Sequence, residues 1–207
     1  MTRTTGADMK IDLSNQWQDW ADKVNWQVPN AISTPHHQLE QVHLITEYTG
    51  LKDSDKFSIV EIGPHDGTMA SGLLKHCSEK IERLVLVDGS PMIEKCKDRL
   101  SGWEQVEYCL VEDSASIEGE FDLLVSCHCL AETTLEYQNY IYNKFFPVCK
   151  EVFILQTTSA SFHDSGPNHE NLINNINRHY KQCATFTPTS PVKSALLDHQ
   201  KLTLAKK

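Results

Sequence analysis

Short apolar runs alternate with amphipathic segments along most of the chain. Five runs of five to seven residues are dominated by apolar and β-branched side chains, which is typical of strands buried on both faces. These predicted strands are Phe57 to Gly63, Leu84 to Asp88, Val106 to Val111, Phe121 to Cys127 and Val152 to Gln156. The segments between them carry apolar residues three and four apart, the spacing of one helical face. Strands that alternate with helices indicate a parallel α/β sheet.

The amphipathic segments predict helices, two of which begin with a cap residue followed by proline, at Thr34-Pro35 and Ser90-Pro91. The predicted helices are Asp12 to Val24, Pro35 to about Gly50, Thr68 to Cys77, Ser90 to Leu100, about Leu135 to Phe146, and a helix capped by Asn168. Two weaker strand candidates, Cys183 to Thr187 and Lys201 to Ala205, have no helix between them. We therefore expect an antiparallel pair at the end of the chain.

Length and composition limit the organisation of the protein. A chain of 207 residues predicts one globular unit, with a disordered segment at 1–10, a helical cap at 11–52 and the main domain at 53–207. The net charge of −9 without a basic run disfavours nucleic acid as a partner. The seven cysteines lack disulfide spacing, which indicates a cytoplasmic protein, and no segment is apolar enough to cross a membrane. The oligomeric state is left open.

The segment from Glu61 to Gly67 indicates where chemistry takes place. It joins the first strand to a helix through a turn with glycines at positions 63 and 67, and Asp88 ends the second strand. In a βαβ unit, such a turn lets the backbone approach a nucleoside, while the acid accepts hydrogen bonds from ribose hydroxyls. The G-x-G-x-x-G spacing of dinucleotide sites is absent, which disfavours a nicotinamide-dependent oxidoreductase.

This pattern resembles the E-x-G-x-G-x-G loop of class I S-adenosylmethionine-dependent methyltransferases. The resemblance covers roughly Phe57 to Gln156 and departs at His65, which replaces the middle glycine. It implies a Rossmann-like sheet of order 3-2-1-4-5-7-6 with strand seven antiparallel, helices on both faces, and S-adenosylmethionine as cofactor. His65 is either a tolerated substitution, because histidine accepts a left-handed backbone better than β-branched residues do, or a contact to the cofactor carboxylate.

The resemblance also implies which residues bind the cofactor. Glu61 would lie near the sulfonium, Asp88 would bind the ribose, Met92 would lie against adenine, and Asp113 would bond the adenine amino group. The complete expected set is Glu61, Gly63, His65, Gly67, Asp88, Gly89, Ser90, Met92, Asp113, Ser114 and Ser126.

The end of the fourth strand, from Ser126 to Glu132, is similar to a segment of proteins assigned as sugar O-methyltransferases, although Cys127 replaces an asparagine of that group. The similarity implies methyl transfer to a hydroxyl of a small polar acceptor. A hydroxyl must lose its proton as the new bond forms, and we expect His128 or Glu132 to be the base. His163, Asp164 and His169 are the next candidates.

Metal ligation is not predicted. Cys127, His128 and Cys129 cannot all face one side of a strand, and the sequence offers no second cysteine or histidine pair to complete a zinc site. Ser126, Cys127, Gln156 and Thr157 at the ends of strands four and five are poor ligands for magnesium. We therefore expect a metal-free methyltransferase; the alternative is a non-catalytic module that binds the cofactor or a protein partner.

Overall fold

The computed structural model describes residues 11–12, 35–157, 167–186, 188–189 and 200–207. Within this part of the chain, seven strands form one sheet. They are β1 (Phe57–Ile62), β2 (Ile81–Asp88), β3 (Val106–Leu110), β4 (Phe121–Cys127), β5 (Cys149–Thr157), β6 (Gln182–Phe186) and β7 (Gln200–Lys206). Their order is β3-β2-β1-β4-β5-β7-β6. Strands β1 to β5 are parallel, whereas β7 is antiparallel to both β5 and β6. This confirms the predicted sheet.

Helices cover both faces of the sheet, as expected. The described helices are α1 (Pro35–Tyr48), α2 (Thr68–Cys77), α3 (Ser90–Arg99), α4 (Cys129–Glu132), α5 (Leu135–Phe145) and α6 (Pro167–His179). Helices α1, α2 and α3 share one apolar core with one face of the sheet, and α5 and α6 share the second core with the opposite face. None of the described helices is long and apolar enough to cross a bilayer.

Charged residues explain why two strands begin earlier than the apolar pattern predicts. β2 starts at Ile81 and β5 at Cys149, each three residues before its predicted start. Arg83 in β2 bonds Glu107 of the neighbouring strand at 2.8 Å, and Lys150 in β5 bonds Asp122 of β4 at 2.7 Å. Side chains paired across strands in this way interrupt an apolar run without ending the strand.

Four local predictions need correction. Asn168 does not cap its helix, because α6 already begins at Pro167. Gly89, with extended backbone angles, is the N-cap of α3, and Ser90 is already its first residue. Asp12 does not begin a helix, since Ile11–Asp12 forms a two-residue parallel strand with Pro188–Thr189. A short helix, α4, follows β4 although the sequence pattern did not predict it. The expected disorder of 1–10 and the remainder of the helix expected from Asp12 to Val24 lie outside the described residues.

The topology determines where a ligand cleft can form. β1 lies between β2 and β4, and successive strands are added on opposite sides of it. At such a switch point the loops that follow β1 and β4 diverge and leave a crevice at the carboxyl ends of the strands.

Candidate functional site

A cleft of about 650 Å³ opens at this switch point, at the carboxyl ends of β1, β2 and β4. Its lining residues lie at the ends of these strands, in the loops that follow them and on the helices that those loops enter, and α1 closes one side with two glutamines. The lining residues are Gln38, Gln41, Glu61, Gly63, Pro64, His65, Asp66, Met69, Asp88, Met92, Cys127, His128, Cys129 and Thr133.

The loop after β1 has a left-handed backbone at every second residue. Gly63, His65 and Gly67 have φ angles of 75°, 56° and 75°. Gly63 also lacks space for a side chain, because a Cβ there would lie 2.2 Å from the Cβ of Cys129. His65 adopts the conformation that the expected glycine would have, so the substitution is compatible with the loop. Its imidazole is 71% exposed.

Asp88 joins this loop to the end of β2. Its carboxylate accepts a hydrogen bond from the backbone N–H of His65 at 3.3 Å and another from Gly89 at 2.7 Å. Because one carboxylate receives both backbone donors, its position at the edge of the cleft is fixed. It retains lone pairs for ligand hydroxyls.

Asp66 belongs to the same loop and stabilises the start of α2. Its carboxylate accepts hydrogen bonds from the backbone N–H and hydroxyl of Thr68 at 3.1 and 2.7 Å, and Arg99 donates to it at 2.8 Å. Burial alone would raise the pKa of Asp66, but the Thr68 hydrogen bonds and the Arg99 charge outweigh it, so the pKa is lowered. Asp66 and Arg99 therefore form an ion pair that joins the loop to the end of α3.

Glu61 differs from the other acids of the cleft. It is the next-to-last residue of β1 and is only 3% exposed. Among the described residues, none donates a hydrogen bond to its Oε2. Burial, together with the negative charges of Asp88 and Asp66, raises the pKa of Glu61 to about 8. A buried carboxylate without a cationic partner is costly, so this position favours a ligand that brings positive charge.

The opposite side of the cleft is formed by the segment after β4. His128 has a positive φ of 70°, which is unusual for a residue with a side chain, and its backbone N–H donates to the carbonyl of Leu155 at 2.7 Å. Its Nε2 lies 3.3 Å from Nε2 of the buried Gln41 on α1. The imidazole thus lines the cleft in a fixed position.

Gln138 of α5 supports this segment from behind. It is fully buried, and its amide donates to the carbonyls of Leu130 and Thr133 at 2.8 and 3.3 Å. The Leu130 carbonyl also accepts hydrogen bonds from the backbone N–H and the hydroxyl of Thr133, so Gln138 adds a side-chain donor where the short helix α4 ends. Gln138 therefore determines how the chain leaves the cleft after His128.

Comparisons with known proteins were made by sequence and by structure. The sequence matches no family model and no curated protein sequence. By structure, an O-methyltransferase family protein from Burkholderia thailandensis has a TM-score of 0.60 at 12% identity over 81% of this chain and 55% of that one. This chain therefore spans about half of that protein's length.

Two other solved structures match over nearly their whole length. The N-methyltransferase NodS from Bradyrhizobium japonicum, which was solved with S-adenosylhomocysteine, has a TM-score of 0.60 at 14% identity over 93% of this chain and 98% of that one. An RNA methyltransferase candidate from Pyrococcus horikoshii gives 0.60 at 12% identity with the same coverage. The chain has the class I methyltransferase fold.

In this fold the structure brings together five of the eleven residues expected to bind the cofactor. Glu61, Gly63, His65, Asp88 and Met92 line one cleft with His128. Gly67 and Gly89 lie just behind it, as the N-caps of α2 and α3.

Besides Gly67 and Gly89, four more of the expected residues do not line the cleft: Ser90, Asp113, Ser114 and Ser126. Asp113 is exposed in the 3-10 turn Val111–Ser116 after β3. Ser114 in the same turn donates to the carbonyl of Val111 and contacts the Tyr140 hydroxyl at 2.9 Å. Ser126 is buried within β4. The side chain of Glu132 and both His163 and Asp164 lie outside the described residues, and His169 is partly buried on α6.

Four lining residues fall outside the segments that the sequence pattern indicates: Gln38, Gln41, Met69 and Thr133. The glutamines stand three apart on α1 and thus on one face of it. That spacing was the available signal, but a polar helical face ordinarily indicates contact with solvent. As for metals, no group of three histidine, cysteine or acidic side chains arranged to hold an ion occurs in the described part of the chain.

Proposed function

We propose that this protein is an S-adenosylmethionine-dependent methyltransferase that acts on a hydroxyl of a small, polar, sugar-like acceptor without a metal ion. The observation that carries the proposal is the buried carboxylate of Glu61, which lacks a donor to Oε2 among the described residues and stands beside the left-handed loop and Asp88. Such a site favours a nucleoside ligand with a positive charge at one end.

The residues of the cleft fit the cofactor. Asp88 would accept hydrogen bonds from the ribose hydroxyls, and Met92, half-exposed on α3, would contact the adenine ring. Glu61 would face the cationic end of the molecule. Gly63, where a side chain would collide with Cys129, lets the ligand lie directly against the backbone.

The bound cofactor supplies a methyl group already activated by a positively charged sulfur. The protein must hold the acceptor oxygen in line with that group and remove the hydroxyl proton. His128 lines the cleft and has the intrinsic pKa range of a base near neutrality. Glu132, at the end of the adjoining helix α4, is the second candidate.

The lining of the cleft supports a neutral acceptor. Gln38, Gln41 and Thr133 offer uncharged hydrogen-bonding groups, and no lysine or arginine is found among the described residues that line this cleft. Anionic acceptors generally require cationic or backbone donors. The net charge of −9 likewise favours a small molecule over nucleic acid. The similarity to the Pyrococcus RNA methyltransferase candidate leaves RNA as an acceptor to be tested.

The experiment has two stages. Calorimetric titration with S-adenosylmethionine and with NADH first identifies the cofactor, and we expect binding of the former only. Formation of S-adenosylhomocysteine is then measured with neutral sugars, sugar phosphates, phenols and short RNA. We expect turnover with neutral hydroxyl compounds. Binding without turnover across this panel would favour the non-catalytic module, and absence of cofactor binding would refute the proposal.

A further inference from the structure

Glu61 has no role in the proton removal described above, although it is the most isolated acid of the cleft. Its side chain forms part of the cleft wall, and the residue is only 3% exposed. Its Oε2 receives no hydrogen bond from any residue that the structure describes. Within the part of the chain that the structure describes, its charge can therefore be balanced only by a bound ligand or by a proton.

The surrounding groups cannot balance this charge. Asp88 from β2 and Asp66 from the loop are themselves acids, and Arg99 is engaged by Asp66. The thiols of Cys127 on β4 and Cys96 on α3 have pKa values raised mainly by burial, so both are neutral near pH 7. The histidines that line the same cleft are His65, which is largely exposed, and His128 on the far side.

We infer that Glu61 exchanges a proton in each reaction cycle, binding the cationic cofactor as a carboxylate and becoming a neutral acid once the methyl group has been transferred. The inference rests on the proposed function. It adds a second role for Glu61, because the same carboxylate then distinguishes the charged cofactor from a product whose sulfur is neutral.

Protons and charge are conserved over this cycle. Free Glu61 carries a proton and releases it to solvent when the cationic ligand binds. During transfer, the bond between sulfur and methyl breaks with its electron pair remaining on sulfur, the bond between acceptor oxygen and methyl forms, and the hydroxyl proton leaves to His128. Net transfer of that proton to Glu61 then leaves the site with the same total charge as before.

The raised pKa of Glu61, about 8, agrees with this cycle. At pH 7 Glu61 of the free protein would therefore carry the proton in most molecules. Binding of the charged cofactor should release up to one proton, whereas binding of S-adenosylhomocysteine should release none from Glu61. The two ligands share the same amino acid end, so their difference cancels titration of the ligand ammonium group.

The test is calorimetric titration of the wild-type protein with both ligands at pH 7 in phosphate and in Tris, whose ionisation enthalpies differ. We expect S-adenosylmethionine to release more protons than S-adenosylhomocysteine, by up to about one proton. In Glu61→Gln, which retains the shape but not the charge, this difference should vanish. Glu104→Gln, an exposed acid outside the cleft, should behave as wild type.

A pH series on the wild-type protein tests the same inference without any variant. The ratio of the dissociation constants of S-adenosylhomocysteine and S-adenosylmethionine should rise about tenfold per pH unit between pH 6 and 8. Equal proton counts and a pH-independent ratio overturn the inference while leaving the proposed cofactor intact. A difference that persists in Glu61→Gln also overturns it. Failure of both ligands to bind refutes the proposed function instead.

Discussion

Individual residues of the loop after β1 determine whether the cleft can form. Gly63 is both left-handed and in close contact with Cys129, whereas Gly102 is left-handed, with φ of 98°, and a Cβ added there would meet nothing within 4 Å. Substitution by alanine at these two positions therefore separates backbone strain from steric collision. The pair forms a natural matched comparison.

We expect Gly63→Ala to destabilise the protein by roughly 3 kcal/mol, combining about 1 kcal/mol of left-handed strain with the cost of forcing Cys129 away. Gly102→Ala should lose only about 1 kcal/mol. Urea unfolding monitored by circular dichroism measures both. Equal losses at the two positions would show that the contact between Gly63 and Cys129 does not constrain the loop.

His65→Gly tests whether the imidazole has a function. Since the backbone is already left-handed and the side chain is 71% exposed, glycine should leave affinity for S-adenosylmethionine equal or slightly tighter. Calorimetry measures the effect. A tenfold loss, about 1.4 kcal/mol, would instead show that the imidazole contacts the ligand.

Asp88→Ala tests the ribose assignment. We expect a loss of roughly 1.5–3 kcal/mol in binding, the range for hydrogen bonds to a charged group. The loss should be equal for S-adenosylmethionine and S-adenosylhomocysteine, because both carry the same ribose. Affinities within twofold of wild type for both ligands would remove Asp88 from the site.

At the scale of elements, the sequence was sufficient to predict the bounds of helices and strands wherever the spacing of apolar residues determines them. β4 and α2 have their predicted bounds because their buried residues are continuous or helically spaced. The early starts of β2 and β5 were not predictable from apolar runs, because they depend on charge pairs with neighbouring strands. The site could likewise not be predicted fully from the sequence. Gln41 and His128 are 87 residues apart in the chain, and the packing of α1 brings them into contact.

The segment from β4 to α4 carries the proposed base. His128 has a left-handed backbone, so His128→Gly removes the imidazole without adding strain. We expect single-turnover methyl transfer to fall by about 10²-fold or more with cofactor affinity retained, as for loss of a general base. Glu132→Gln is the parallel variant for the second candidate. Near wild-type rates in both would move the base to another residue, His163, Asp164 and His169 being the next to test.

At the scale of the whole molecule, an apolar core packs against each face of the sheet. The acidic residues of the cleft lie at the carboxyl ends of its strands. Each face of the sheet is covered by its own helices, and Glu61 is buried when the protein folds. Burial of the ionised carboxylate thus lowers the stability of the folded protein, and binding of a cationic ligand raises that stability again. A trade between stability and binding follows, and its size depends on pH.

Glu61→Gln should reveal this trade in the ligand-free protein. The pKa of Glu61 is raised to about 8 in the folded protein from an ordinary value of 4.5, so between these values only the folded state holds the proton. The contribution of Glu61 to the stability of the wild-type protein therefore falls as the pH rises from 4.5 to about 8, by at most about 1.4 kcal/mol per pH unit. Above this range the contribution is constant. The free energy of unfolding of Glu61→Gln, measured in urea relative to wild type, should rise by on the order of 3 kcal/mol from pH 5 to pH 8.5. Glu104→Gln alters an exposed acid and controls for the lost negative charge. A difference between Glu61→Gln and wild type that stays flat over this range would show that Glu61 is ionised in the free protein and balanced by a group other than a proton.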